Sequence, residues 1–148
     1  MSPRPGTRRE GKRLLGALLL LVGLLAGCTG TRDSERLSDP GALGPYSAVV
    51  LDGDYAFLSG KIGPRDGTYE EEVEGAIDAV ADNLARLGLD LGAVLSVTVF
   101  LTDMADYPRF NEIYARRFAA PYPARSCVAV SALPGGAHVE LAVIARRR

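Results

Sequence analysis

Residues 70–101, EEEVEGAIDAVADNLARLGLDLGAVLSVTVFL, change hydrophobic period once, and that change sets the fold class. From Val73 the apolar positions Ile77, Val80, Leu84 and Leu87 follow at steps of four, three, four and three, one stripe of a helix. Glu70, Glu71, Glu72 and Glu74 put negative charge at its N-terminus, where the helix macrodipole favours it, and Gly88 suits its end. Val94 to Leu101 then alternates with period two, the signature of a strand. Leu95, Val97, Val99 and Leu101 fall on one face, and Val94, Ser96, Thr98 and Phe100 on the other.

Upstream of this unit, Val49–Leu51 and Tyr55–Ser59 are strand-like runs joined at Asp52-Gly53, a pair favoured in tight hairpin turns. Downstream, Tyr107, Phe110, Ile113, Tyr114 and Phe118 spell a second helix, ended by Pro121 and Pro123. Arg125–Ser131 and Val139–Ala145 read as two further strands, and Leu133-Pro134-Gly135-Gly136 between them has the composition of a hairpin connection. The order β-β-α-β-α-β-β predicts an α+β domain with two helices on one face of a mainly antiparallel or mixed sheet. Two helices cannot cover both sides of five strands, and the remaining face carries Phe100, Ala142 and Ile144. Burial of that face against further copies of the chain predicts a homo-oligomer.

The chain has 148 residues, one histidine and two cysteines that lie 99 positions apart. Multi-histidine zinc sites, clustered cysteine ligands and a disulfide scaffold therefore lack the residues they need. A formal net charge of −1 gives no footprint for nucleic acid, which wants a basic face. That average hides two segments. Arg4, Arg8, Arg9, Lys12 and Arg13 precede LLGALLLLVGLLAG at 14–27, a charge-free run of signal-peptide length and shorter than the roughly 20 residues a spanning helix needs. Leu25-Ala26-Gly27-Cys28 then resembles the lipobox of bacterial lipoproteins, in which the cysteine is lipidated after cleavage; the alternative is a chance cysteine after a secretory signal. The expected division is a signal peptide at 1–27, a flexible tether at 28–43 and a folded domain at 44–148, the protein being exported and held to a membrane through Cys28. Loss of the first 27 residues removes five basic and one acidic side chain. The 12 basic and 17 acidic side chains left give a net charge of −5.

Alternation along the Arg125 strand separates Arg125, Cys127, Ala129 and Ser131 from Ser126, Val128 and Val130. Placing the second set under the helices turns Arg125 toward the subunit interface. On the last strand Glu140 shares a face with Ala142 and Ile144, an acid in an otherwise apolar set. A base and an acid on one sheet surface form either a structural ion pair or a site.

Gly44-Pro45-Tyr46-Ser47, Phe57-Leu58-Ser59-Gly60, Val99 to Met104, Phe110-Asn111, Pro123-Ala124-Arg125-Ser126-Cys127-Val128, Leu133-Pro134 and Val139-Glu140 follow one another in the order and spacing of the Rid, or YjgF, family. From about Gly44 to Arg147 the chain resembles a RidA-type reactive-intermediate deaminase, and the P-A-R-S-C-V run is the most specific element. The resemblance implies a chorismate-mutase-like fold, a homotrimer with sites at the subunit interfaces, and hydrolysis of enamine or 2-imino acid intermediates to 2-oxo acids and ammonia. It implies that Arg125 clamps the substrate carboxylate and that Glu140 activates water. Tyr46, Ser59, Gly60, Asn111 and Cys127 match pocket-lining positions, and no metal or organic cofactor is implied.

Several features depart from the family pattern. Lys61 and Gly63 stand where the family commonly has Gln and Pro, the loop from Lys61 to Tyr69 is shortened, and the export segment differs from the usual cytosolic setting. Lys61, the one lysine after the export segment, is expected in solvent, the alternative being a second cation for a doubly acidic ligand. Cys127 is expected to shape the pocket rather than act as nucleophile, since the motif places no His or Lys to form a thiolate. His138 is expected at the surface, and Tyr107, Phe110 and Phe118 in the helix core. A non-catalytic binder of small carboxylates, or a trimeric interaction module, is the alternative function on the same scaffold.

Overall fold

A computed structural model describes Met1 and residues 34–39 and 41–147. The export segment and Cys28 lie outside the described residues. The helical stripe of residues 73–87 becomes α1 (Tyr69–Ala85), capped by Thr68, whose side chain accepts from the Glu71 N–H while the Glu71 carboxylate accepts from the Thr68 N–H. Val73, Ile77, Val80 and Leu84 are fully buried, and Gly88 (φ +71°) stands just beyond the helix end. α2 (Tyr107–Arg117) buries Phe110, Ile113 and Tyr114. Arg116 and Arg117 of α2 pair with Glu70 and Glu74 of α1, tying the two helices side by side.

The strands are β1 (Glu35–Leu37), β2 (Val49–Asp52), β3 (Tyr55–Lys61), β4 (Val94–Leu101), β5 (Ala124–Ala129) and β6 (Val139–Arg146). They form one mixed sheet in the order β1-β2-β3-β6-β4-β5, with β4 and β5 parallel and every other pair antiparallel. From β2 onward this is the expected β-β-α-β-α-β-β order. The expected hairpin between the last two strands is corrected: β6 runs between β3 and β4, and Leu133–Gly136 belongs to a crossover connection. The physical reason lies in burial. Val139, Leu141, Val143 and Ala145 have nearly no exposure on the helix side, so β6 gains most in the centre of the sheet.

β1 falls within the segment expected to be a tether. Its residues pair with Val49–Leu51, and the Leu37 carbonyl accepts from the Ala48 N–H at 2.7 Å. The free edge of β2 presents unpaired backbone groups, and a polar segment passing it satisfies them whatever its side chains are.

Two irregularities re-aim side chains. The β4–β6 register shifts between Val94 and Ser96, so Val94 is buried and Leu95 is exposed, the reverse of the alternation expected there. The β3–β6 register shifts between Leu58 and Lys61, so both residues point into the helix-covered side although they are three positions apart. Lys61, expected in solvent, is consequently buried.

Both helices cover the Val97, Val99 and Leu101 side of the sheet. The opposite side carries Phe57 (41% exposed), Val128 (42%) and Ile144 (37%) with half-buried Phe100 and Ala142, an apolar face that no described helix covers.

Candidate active site

β5 departs most sharply from the local sequence pattern. Its parallel register aligns Arg125 with Val97 and Cys127 with Val99, so these two residues face the helix layer and Val128 faces the open side. The expected choice of face is thereby corrected, because β5 is an edge strand beside α2. There Arg125 finds aromatic rings to lie on, while Val128 has no helix above it. Glu140 is aligned with Phe100 on the open face, as expected. Arg125 and Glu140 therefore do not share one sheet surface.

The predicted site residues gather instead in two pockets. Tyr46, Ser59 and Gly60 surround Glu140, together with Ile62 and Pro134, in a pocket of about 340 Å³. The β3 irregularity turns the Gly60 Cα toward Glu140 so closely that a methyl group there would overlap the Glu140 carboxylate. Ser59 Oγ donates to the Ser47 carbonyl at 2.7 Å, and Tyr46 Oη accepts from the Leu43 N–H at 3.3 Å, which fixes the 43–47 segment beside the acid. Burial pushes the Glu140 carboxyl above the ordinary carboxylate range.

Asn111 and Cys127 line a second pocket, of about 380 Å³, with Arg125, Tyr107, Tyr114 and Tyr122. Arg125 Nη2 donates to Asn111 Oδ1 at 2.7 Å, and its guanidinium carbon lies 4.6 Å from the Tyr114 ring centroid. The Phe110 and Tyr107 rings lie at 5.6 and 5.7 Å. These rings hold the planar fork by stacking and cation–π attraction without using up its charge. Burial pushes the Tyr114 phenol up to about 12, so it stays protonated beside the cation.

Among the described residues no carboxylate lies within ion-pair distance of Arg125 and no cation within that distance of Glu140. The structural ion pair is thus absent among the described residues, and each pocket holds one uncompensated charge. Burial also pushes the Cys127 thiol up, against the opposing pull of Arg125, so the side chain is a thiol rather than a thiolate. His138 is exposed at its side chain, and its ring Nδ1 lies 2.9 Å from the buried Glu72 carboxylate, which also accepts the His138 backbone N–H at 2.6 Å. No set of three His, Cys, Asp or Glu side chains that could hold a metal converges among the described residues.

Phe110 and Phe118 are core residues as expected, whereas Tyr107 is part of the Arg125 pocket. The signal for Tyr107 was present in the four-residue step from Tyr107 to Asn111, which puts both on one helix face. Tyr122 follows the helix in an irregular segment and carried no periodic signal.

Comparison with known proteins gives one family. Residues 36–147 match the family model described as Endoribonuclease L-PSP. Protein DfrA of Myxococcus xanthus is 47% identical over 116 residues, spanning 72% of this chain and 88% of the relative. Reactive Intermediate Deaminase A of Arabidopsis thaliana, a chloroplastic protein, is 42% identical, with 72% of this chain and 60% of the relative covered. The human 2-iminobutanoate/2-iminopropanoate deaminase is 37% identical, with 72% and 82% covered. Among solved structures, yeast Mmf1 superposes with a TM-score of 0.73 at 32% identity, covering 78% of this chain and 99% of that one. RidA from the Antarctic bacterium Psychrobacter sp. PAMC 21119 superposes with a TM-score of 0.69 at 31% identity, covering 76% and 97%.

Proposed function

The chain belongs to the RidA/YjgF family, described as Endoribonuclease L-PSP, and on that premise we propose that it hydrolyses 2-imino acids to 2-oxo acids and ammonia. The observation that carries the proposal is the pair of half-built pockets. Each holds one unpaired charge of the kind the reaction needs, Arg125 in one and Glu140 in the other. A further copy of the chain docking on the apolar open face, in a homotrimer, joins the Glu140 pocket of one protomer to the Arg125 pocket of its neighbour. Burial of Phe57, Val128 and Ile144 supplies the association energy, at roughly 25 cal/mol per Å² of apolar surface.

In the joined site the Arg125 fork binds the substrate carboxylate bidentately, with Asn111 fixing the orientation of the fork. Neutralising that carboxylate leaves the protonated imine carbon strongly electrophilic. Glu140 takes a proton from water as the oxygen–carbon bond forms, giving a carbinolamine. It then returns the proton to nitrogen; as the carbon–nitrogen bond breaks it takes the hydroxyl proton, so that the carbonyl forms and ammonia leaves, and that proton passes to the ammonia to give ammonium. A carboxyl raised by burial is suited to both halves of this shuttle. Cleavage of RNA is disfavoured by charge, because residues 28–148, with a net charge of −5, repel a polyanion.

The test uses the full chain in detergent with freshly generated 2-iminopropanoate and 2-iminobutanoate. Decay should be faster than with Arg125→Ala or Glu140→Gln protein. Equal decay in all three would sink the enzyme and leave the small-carboxylate binder or the trimeric interaction module on the same scaffold. Export and anchoring through a lipidated Cys28 are part of the proposal, supported by the charge, apolar length and L-A-G-C sequence of the export segment. Cys28→Ala protein should leave the membrane fraction, and unchanged retention there would refute the anchor.

A further inference from the structure

A cleft of about 710 Å³ adjoins the Glu140 pocket, and the two share Leu43, Tyr46, Gly60 and Ile62. The cleft is lined by Gly60 and Lys61 at the end of β3, beyond the residues that β2 pairs. The Lys61 side chain is only 7% exposed, which is costly for an ammonium unless acceptors surround it. An ammonium has three donors. Among the described residues it finds one acceptor, Asp39 Oδ2, at 3.5 Å, well beyond the ~2.7–2.9 Å of a strong charge-assisted bond.

Asp39 is independently anchored. Its Oδ1 accepts from the Gly41 N–H at 2.9 Å, so the carboxylate can release Lys61 and keep its own place. Arg65, the other cation of the cleft, is engaged with the Gly135 carbonyl. Among the described residues Lys61 is therefore a buried charge with unused donors, and a carboxylate is the group already resting on it.

We infer that Lys61 receives a second carboxylate of the substrate, and that this chain acts on imines of acidic, dicarboxylic amino acids. The inference rests on the deaminase reading of the Glu140 pocket and adds the substrate class. The neighbour's Arg125 takes the carboxylate next to the imine, Glu140 works at the imine carbon, and Lys61 binds the distal carboxylate at the far end of the shared cleft. Asp39 pairs with Lys61 when the distal position is empty and releases it when substrate binds, its Oδ1 staying on the Gly41 N–H.

Binding of stable 2-oxo acids tests this without turnover. Calorimetric titration of the full chain in detergent should show 2-oxoglutarate binding at least about tenfold tighter than 2-oxobutanoate, the effect of one added charge-assisted bond. Lys61→Met should abolish the preference and leave 2-oxobutanoate binding unchanged. Asp39→Asn, which removes the competing carboxylate, should tighten 2-oxoglutarate binding several-fold, a gain that a damaged fold cannot produce. Equal binding of the two acids by the unmodified chain, a preference that survives Lys61→Met, or no tightening in Asp39→Asn overturns the inference. Failure of the deaminase reading is separate: it shows as 2-iminoglutarate and 2-iminobutanoate both left intact by a protein whose 2-oxoglutarate preference still depends on Lys61.

Discussion

Arg125 and Glu140 stand on opposite faces of one sheet, Arg125 in register with Val97 under the helix layer and Glu140 opposite Phe100 on the open side. Each has its own pocket, and neither has a charged partner among the described residues. A site that needs both must draw them from two protomers.

Subunit mixing checks this directly. Arg125→Ala and Glu140→Gln chains should each be inactive alone. Refolded together in equal amounts, half of the subunits offer an intact Glu140 pocket and half an intact Arg125 pocket, so about a quarter of the interfaces regain both and activity returns to about that level. A mixture that stays at the level of the separate variants would place the two groups in one protomer.

Gly60→Ala should abolish activity while sparing the fold. The added methyl group overlaps the Glu140 carboxylate, whose side chain can swing away into the pocket at little structural cost. Displacing a proton-transfer group by about 1 Å costs on the order of 100-fold in kcat/KM. Circular dichroism should be unchanged; full activity in a folded Gly60→Ala protein would remove Glu140 from the chemistry.

Glu140 also sets a pH dependence. Burial raises its folded-state pKa above the unfolded value, so the folded protein binds the extra proton between the two, and stability falls as pH rises through that window. The acid limb of kcat/KM should lie above the ordinary carboxylate value of 4.5. Glu140→Gln, which cannot ionise, should be more stable than the parent at pH 7 and equal to it below the ordinary carboxylate range. Denaturation curves at the two pH values decide this, and a stability difference independent of pH would contradict it.

Glu72 serves the fold rather than the reaction. It is 4% exposed and accepts the His138 backbone N–H at 2.6 Å, with the Val139 N–H at 3.4 Å, pinning the start of β6 to α1 two residues before Glu140. Glu72→Ala leaves a buried donor unsatisfied and should cost about 3 kcal/mol; Glu72→Gln, which keeps a carbonyl acceptor, should cost less. The readout is the urea midpoint at fixed protein concentration, and an unshifted midpoint in Glu72→Ala would show the clamp to be without weight.

The helices, the alternation of β6 and the motif residues of both pockets were legible from residues 44–147 alone, whereas Tyr107 and Tyr122 of the Arg125 pocket were not. Helical stripes and strand alternation arise from side chains a few positions apart, and they hold for Val73–Leu84 and Val139–Ala145 in any arrangement of the sheet. The motif residues Tyr46, Ser59, Gly60, Asn111, Arg125, Cys127 and Glu140 likewise needed no coordinates to be singled out.

Which residues meet was decided at long range. The insertion of β6 between β3 and β4, the recruitment of Glu35–Leu37 to a free edge, and the parallel register that turns Arg125 toward α2 depend on hydrogen bonds between segments far apart in the chain. The irregularities at Ser59-Gly60 and Val94-Leu95 are the sharpest cases. One extra residue against the neighbouring strand reverses the face of every side chain beyond it, so it buries Lys61 and exposes Leu95 against their local patterns. Local periodicity thus determined what each segment is, while pairing across the sheet determined that Glu140 and Arg125 lie in two separate pockets and that Lys61 lines a cleft, because pairing alone chooses the face a side chain occupies.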